Sequence, residues 1–367
     1  MYLDPSQYRL YNYAILVLLS IIVYFFIREL PSAQLIRRKR INILVLLYVF
    51  SFIFIVGFRP VSNVFGDTVN YARTYLDFSE SSIPPLWTSR DPLFYILMWL
   101  CSQYLDVRWF FFFVEIVYVI PLIWASYRFF RNNYDIALLV CFAAFSFFEY
   151  GVNGIRNGAA CSLVFLALTY IQGNWKNKTI FAIISLIAIS IHTSVALPIV
   201  CIVVASIVKN PRIMFFFWVF SLLISLVAGG IISRAFVNFG FDERLSDYIL
   251  TEAEEGIFSR VGFRWDFLLY SAVPIVLGYF FIFVKKRYDR NYILLLGTYV
   301  FSNAFWLMVI RAQYSNRFAY LSWFLYPFVL IYPFLKINVW QKSQGRKAGI
   351  MMLGHLSFTL FMVFIYG

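Results

Sequence analysis

Charge is scarce in this chain. Asp, Glu, Lys and Arg make up 13% of its 367 residues, where soluble domains carry roughly 25%, which excludes a mostly water-covered surface. Histidine and cysteine are scarcer. The two histidines are His192 and His355, and the four cysteines, Cys101, Cys141, Cys161 and Cys201, all fall inside apolar segments. That placement argues against a disulfide framework, a thiolate metal site and zinc chemistry. Neither G-x-x-x-x-G-K-[ST] nor G-x-G-x-x-G occurs, so the usual nucleotide cradles are missing. No metal and no cofactor is expected. Soluble linkers, low-complexity tracts and convincing repeats are missing too, the echo of V-G-F-R at 56–59 and 261–264 being too short to count.

What is present is hydrocarbon, with 62% of residues hydrophobic and 22% aromatic. Apolar runs fall near 11–27, 41–57, 109–127, 134–150, 158–173, 179–191, 195–208, 213–232, 267–284, 292–310, 318–335 and 349–366, with a shorter piece at 92–105. An untilted span needs about 20 residues, and several of these runs are shorter, which predicts helix pairs broken by polar turns within the membrane. The expected fold is an all-α polytopic membrane protein of about 12–13 helices, one multi-pass domain over 1–367. The first run is preceded by Asp4 and Arg9 and has no small-residue cleavage site, so it reads as a retained helix.

The basic clusters set orientation. Arg28 with 37–40, Arg128 and Arg131, Lys176 and Lys178, Lys209 and Arg212, 285–290, and 336–347 are expected in the cytoplasm by the positive-inside rule. The N-terminus is then outside, with large outer loops at 58–91 and 233–266, and 92–105 is read as re-entrant or interfacial. The net charge of +13 is a topology signal, not a nucleic-acid footprint. All nine lysines fall on the inner side, while the outer basic residues, the ambiguous Arg108 aside, are arginines: Arg9, Arg59, Arg73, Arg90, Arg156, Arg234, Arg244, Arg260, Arg264, Arg311 and Arg317. Positive-inside bias would deplete both residue types. A set made only of arginine suits an anionic group at a membrane edge, since the planar fork grips phosphate in a bidentate manner.

Four constellations face outward on this topology. Arg59 ends an uncharged run and precedes Asp67 and Tyr71. N-G-I-R-N-G, 153–158, joins two apolar runs and carries Asn153 and Arg156. S-I-H-T-S, 190–194, carries His192 and Ser194. Arg311 and Arg317 bracket a later turn. Blander readings stay open. His192 can be a turn histidine bonding Ser190 or Ser194, Asp67 a helix cap or the partner of Arg59, and Tyr71 an interfacial aromatic. Glu115 and Glu149, inside apolar runs, require a partner or a wet cavity. Glu149, seven residues before Arg156, is expected to orient it.

G-F-R followed by G-D-T-V-N-Y, then N-G-I-R-N-G-A-A-C-S-L, then A-I-S-I-H-T-S-V-A-L resemble, in order and in placement at helix ends, the EpsG/Wzy family of bacterial polysaccharide polymerases. The resemblance covers about 40–210 by motif and the remainder by hydropathy. It departs at Asn157, where the family often has glutamine, and at Ala159, where it often has an aliphatic residue. It implies glycan repeat units on undecaprenyl diphosphate as substrate, joined at the outer face of a bacterial cytoplasmic membrane, a fold like that of the lipid-linked-sugar (GT-C-like) glycosyltransferases, and membrane lipid and a chain-length regulator as partners. On that basis Arg59, Arg156, Arg264 and Arg317 are expected to bind the diphosphate, Asp67 or His192 to act as base, and Tyr71, Asn153, Glu149 and Ser194 to support them. Two other readings compete, a lipid-linked oligosaccharide flippase and an O-antigen ligase or acyltransferase. A flippase would spread its charges through the depth of the bundle and repeat its halves, whereas here the charges gather on one side.

Overall fold

The structure, a computed structural model, describes residues 4–38, 42–84, 90–238, 263–311 and 315–366, with backbone alone over 230–238. Among these residues every regular element is helical. In chain order they are α1 (Gln7–Ile27), α2 (Ser32–Ile36), α3 (Ile43–Gly57), α4 (Thr68–Ser79), α5 (Pro92–Ser102), α6 (Val107–Phe130), α7 (Tyr134–Phe142), α8 (Phe145–Val152), α9 (Ile155–Leu168), α10 (Trp175–Ile191), α11 (Ala196–Ile207), α12 (Pro211–Asn238), α13 (Trp265–Tyr279), α14 (Arg290–Met308), α15 (Ser315–Trp323), α16 (Tyr326–Lys336) and α17 (Gln344–Phe361).

Among the described residues, six helical stretches are long and apolar enough to cross a membrane: Gln7–Ile27, Val107–Phe142, Pro211–Gly229, Trp265–Val284, Ser315–Lys336 and Gln341–Tyr366. Shorter apolar helices accompany them, Ile43–Gly57, Pro92–Ser102, Ile155–Leu168 and Thr193–Ile207. The protein is an all-α polytopic membrane protein. Large apolar side chains such as Leu18, Phe26, Leu186, Phe216 and Leu269 point outward, which water would penalise and lipid tails accept. The expected polar break is present at His192, between α10 and α11, and two runs that read as continuous are broken as well. The run 134–150 divides at Ala143 and Ala144 into α7 and α8, and 318–335 divides at Phe324 and Leu325 into α15 and α16. With 11 residues, α5 is about 16 Å long against ~30 Å of hydrocarbon and cannot cross alone.

The chain forms two compact units, Met1–Ile199 with Ile331–Gly367, and Val200–Leu330. In the first, α6 packs against α3 and α9, α9 against α10, and α1 against α17. Close approach explains the small residues that open α9. A Cβ on Gly158 would lie 2.5 Å from the Tyr150 carbonyl oxygen and 3.2 Å from the Tyr118 ring, so a larger residue would push α9 off its neighbours. Aromatic contacts fill the core, including Phe142 on Phe147 at 4.1 Å and Phe129 stacked on Phe165 at 5.6 Å.

The second unit centres on α14, which packs against α12, α13 and α15. Buried polar groups there bond one another. Trp218 donates to Asn303 Oδ1 at 2.8 Å, Asn303 donates to Ser322 Oγ at 3.1 Å, and Trp323 donates to Ser271 Oγ at 2.7 Å. Away from water each such donor would otherwise be costly, so these bonds fix the mutual rotation of the helices. Most of the expected outer loop 233–266, with Arg244 and Arg260, lies outside the described residues.

Candidate functional site

The helix pair α8–α9 breaks at Asn153 and Gly154, where backbone angles leave the helical region at Gly154 (φ −83°, ψ 43°). Arg156 follows in the first turn of α9. Its Nη1 donates to Asp91 Oδ2 at 2.8 Å and to the Tyr95 hydroxyl at 3.1 Å. The rings of Tyr95, Phe94 and Tyr71 surround the guanidinium at 5.6, 5.7 and 5.9 Å from its carbon. Aromatic faces attract a cation by their quadrupole, more strongly as water is excluded, and the Arg156 side chain is 15% exposed.

Asp91 occupies the N-cap position of α5, just before Pro92, yet its side chain caps nothing there. It reaches across to the α10–α11 turn instead. Oδ1 accepts from the Thr193 N–H at 2.9 Å, and Oδ2 faces His192 Nδ1 at 3.3 Å. Burial pushes the Asp91 carboxyl up, but the His192 hydrogen bond and charge, the Thr193 N–H and the Arg156 guanidinium outweigh it and hold Asp91 below the ordinary carboxylate value. The result is an ionised carboxylate with an arginine on one side and a histidine on the other.

Behind this cluster lies a second arrangement. Arg59 is fully buried. Its Nη1 donates to the Val56 carbonyl at 2.9 Å and its Nη2 to the Val152 carbonyl at 3.1 Å, while the Phe111 ring lies 4.6 Å from its carbon. Thr68 donates to the same Val152 carbonyl at 3.1 Å, and Asn153 Oδ1 accepts from the Asp67 N–H at 2.9 Å. Gly66 makes the turn possible, with φ +61° and no Cβ to strike Asn153, which would lie 2.4 Å away. The α3 end, the start of α4 and the α8–α9 break are thus pinned to one another, and the pin sets where Tyr71 and Arg156 stand.

The model of the EpsG family matches residues 42–366. The chain belongs to the EpsG family. No curated protein and no solved structure matches it. Membership supports a role of the polysaccharide-polymerase type in a membrane. The match takes in every residue named in the two arrangements above, from Arg59 to Thr193.

Within this EpsG-family chain, the structure brings Arg156, Tyr71 and His192 together and adds two residues that the sequence reading passed over, Asp91 and Tyr95. Asp91 read as the end of a polar loop. The signal that could have found it is S-R-D-P, an acidic residue and a proline opening an apolar helix. Asp67 stands at the start of α4, one turn from Tyr71, where its Oδ1 accepts from Asn70 Nδ2 at 3.2 Å. It does not bond Arg59, whose Nη1 and Nη2 go to main-chain carbonyls and whose buried Nε has no hydrogen-bond partner among the described residues. His192 does not bond Ser190, which donates to the Leu186 carbonyl at 2.9 Å. Ser194 lies in the short 3-10 turn Thr193–Val195.

Glu149 requires a correction, because it does not orient Arg156 but forms an ion pair with Arg9 of α1. Seven residues would be two turns of one helix, but the break at Asn153 and Gly154 ends α8 and starts α9 on a new axis, so the expected stacking is lost. Glu115 is buried on α6, and a Cβ on Gly151 would sit 3.4 Å from its Oε1. Arg264 and Arg317 belong to the second unit. Arg264 grips Asp266 with both arms, Nε at 2.9 Å and Nη2 at 2.6 Å, with its carbon 3.7 Å from the Phe267 ring centre. Arg317 is exposed on α15.

Proposed function

We propose that this protein is a glycosyltransferase that joins glycan repeat units carried on undecaprenyl diphosphate, at the outer face of a bacterial cytoplasmic membrane, without a metal ion. The observation that carries this reading is Arg156, held at a helix break among aromatic rings with a carboxylate and a histidine within hydrogen-bond reach of one another. As the bond between sugar and diphosphate breaks, negative charge develops on the phosphate oxygens. A guanidinium already fixed in a poorly hydrated place stabilises that charge without reorganising. Both the Asp91 and the Tyr95 bonds leave from Nη1, so the remaining edge of the fork is the one we assign to phosphate.

Arg59, with its terminal nitrogens committed to carbonyls, is assigned to holding the turn that presents Tyr71 and Arg156. Arg264 and Arg317 remain assigned to the diphosphate, Arg264 by exchanging its bidentate grip on Asp266 for one on phosphate. The acceptor hydroxyl needs a base, supplied by His192 or Asp67, and Tyr71 and Tyr95 offer faces for a sugar ring.

The test is incubation of purified protein with lipid-linked repeat units. A ladder of products supports a polymerase, a single addition to a different acceptor supports a ligase, and no product supports transport. The ladder is expected to survive EDTA, because the sequence has no Asp-x-Asp pair and arginine is assigned the charge that a divalent cation neutralises in many sugar transferases. Loss of the ladder in EDTA and its return with magnesium or manganese would overturn the assignment.

A further inference from the structure

Asp91 stands at the centre of the cluster, and the chemistry above gives it no part. One of its oxygens serves two cationic or potentially cationic groups, Arg156 Nη1 at 2.8 Å and His192 Nδ1 at 3.3 Å. Resting on the polymerase reading, we propose that Asp91 is a positioning residue that orients His192 as the base toward the acceptor hydroxyl and ties that base to the diphosphate grip of Arg156.

A carboxylate facing Nδ1 places the ring hydrogen on that nitrogen and leaves the lone pair on Nε2, at the opposite end of the imidazole. The ring is held from a second direction as well. Thr193, the next residue, gives Asp91 Oδ1 its N–H at 2.9 Å and the neighbouring Arg90 carbonyl its hydroxyl at 2.7 Å, so the main chain beside the imidazole is fixed to the same carboxylate. His192 itself is extended (φ −155°, ψ 109°) and belongs to neither helix, and its side chain is 21% exposed. The imidazole is therefore oriented without being enclosed, as a base that meets a substrate must be. Asp67 has a different setting, its carboxylate bonded to Asn70 within its own first turn. The charged group that faces His192 is Asp91, just before α5, which is itself bonded to Arg156 on α9.

In the step this implies, the acceptor O–H gives its proton to His192 Nε2 while its oxygen forms the new bond to the anomeric carbon. The bond from that carbon to the phosphate oxygen breaks, and its electron pair leaves with the diphosphate, which Arg156 holds. Asp91 stabilises the imidazolium, and the proton then passes to the departing diphosphate. Sharing one oxygen couples the two ends. A diphosphate that draws the Arg156 fork toward itself weakens the Arg156 to Asp91 bond and leaves that oxygen to His192, so donor binding strengthens the base.

The test compares Asp91→Asn, Asp91→Glu, His192→Ala, Arg156→Ala and the Asp91→Asn/His192→Ala double variant in turnover of lipid-linked repeat units, with thermal melting of each protein. Asp91→Asn is expected to lower kcat about 100-fold, the scale of general-base catalysis, with KM unchanged or lower because the Arg156 fork is released. The double variant is expected to be no slower than His192→Ala alone. Imidazole in the buffer is expected to restore turnover to His192→Ala and not to the double variant, and Asp91→Glu to retain part of the wild-type rate. Wild-type kcat in Asp91→Asn would overturn the proposal, as would multiplying losses in the double variant or a raised KM with kcat unchanged. If neither Asp91 variant yields folded protein, Asp91 is structural and the proposal falls. A wild-type protein that makes no polymer brings down the polymerase reading first, and this inference with it.

Discussion

At Arg156 the question is whether charge suffices or the fork is needed. The side chain bonds Asp91 and Tyr95 from one nitrogen and lies among three rings, an arrangement that a compact ammonium cannot reproduce. Removing it leaves Asp91 with His192 and Thr193 as partners, which spares the protein most of the cost of a stranded buried charge. Arg156→Ala and Arg156→Lys are therefore expected to yield folded, inserted protein that makes no long chains, so that only single repeat units reach the final carrier, read on a gel of the polysaccharide. Wild-type chain lengths from the lysine variant would show that charge alone is enough. Absence of both variants from the membrane would make Arg156 structural. Asp91 also carries a pH dependence. Its carboxyl is held below the ordinary value in the folded protein, so its bonds contribute stability that is fully present above roughly pH 4, the value of a free Asp, and is lost as pH falls through the lower folded value. Melting of the solubilised protein is expected to drop over that acid window, and by less in Asp91→Asn. An equal drop in both would remove Asp91 as the cause.

Among the elements, the turn before α4 is the most demanding. Gly66 needs a left-handed φ, and its missing Cβ leaves room for Asn153. Alanine there pays the left-handed penalty of about 1–2 kcal/mol and also displaces Asn153, which holds the Asp67 N–H. Gly66→Ala is expected to lower the melting temperature by several degrees and to reduce polymerisation through a moved Tyr71. Unchanged melting and activity would show that the pin is not needed. Elements of this kind divide what a reader of the sequence can see. The breaks at N-G-I-R-N-G and at His192 were legible, because glycine or polar residues interrupt apolar runs too short to cross. Pairings between distant parts of the chain were harder. Glu149 looked like the partner of Arg156 because helical periodicity was carried through a break, and Asp91 was missed because its partners Arg156 and His192 are 65 and 101 residues away. Composition and spacing report faces of helices. They do not report which helix end meets which.

For the molecule as a whole, sidedness decides which face of the membrane each arginine meets. Lysine is confined to the clusters read as cytoplasmic, and the basic residues read as outer, Arg108 aside, are arginines, a split that positive-inside bias alone would not give and that the proposed phosphate binding would account for. The helix lengths agree with it. Between the loop that begins after α3 and the basic residues Arg128 and Arg131, α6 crosses and α5 is too short to do so, which gives the single crossing that this topology requires. Reporters fused at Lys178, Arg212 and Lys286 are expected to report the cytoplasm, and reporters within 66–82 and 244–258 the exterior. Arg264 follows the second of these segments directly. A cytoplasmic signal from 244–258 would therefore put Arg264 on the cytoplasmic face, and its proposed share in holding the diphosphate would have to be given up, whereas an exterior signal from both segments keeps that proposal standing.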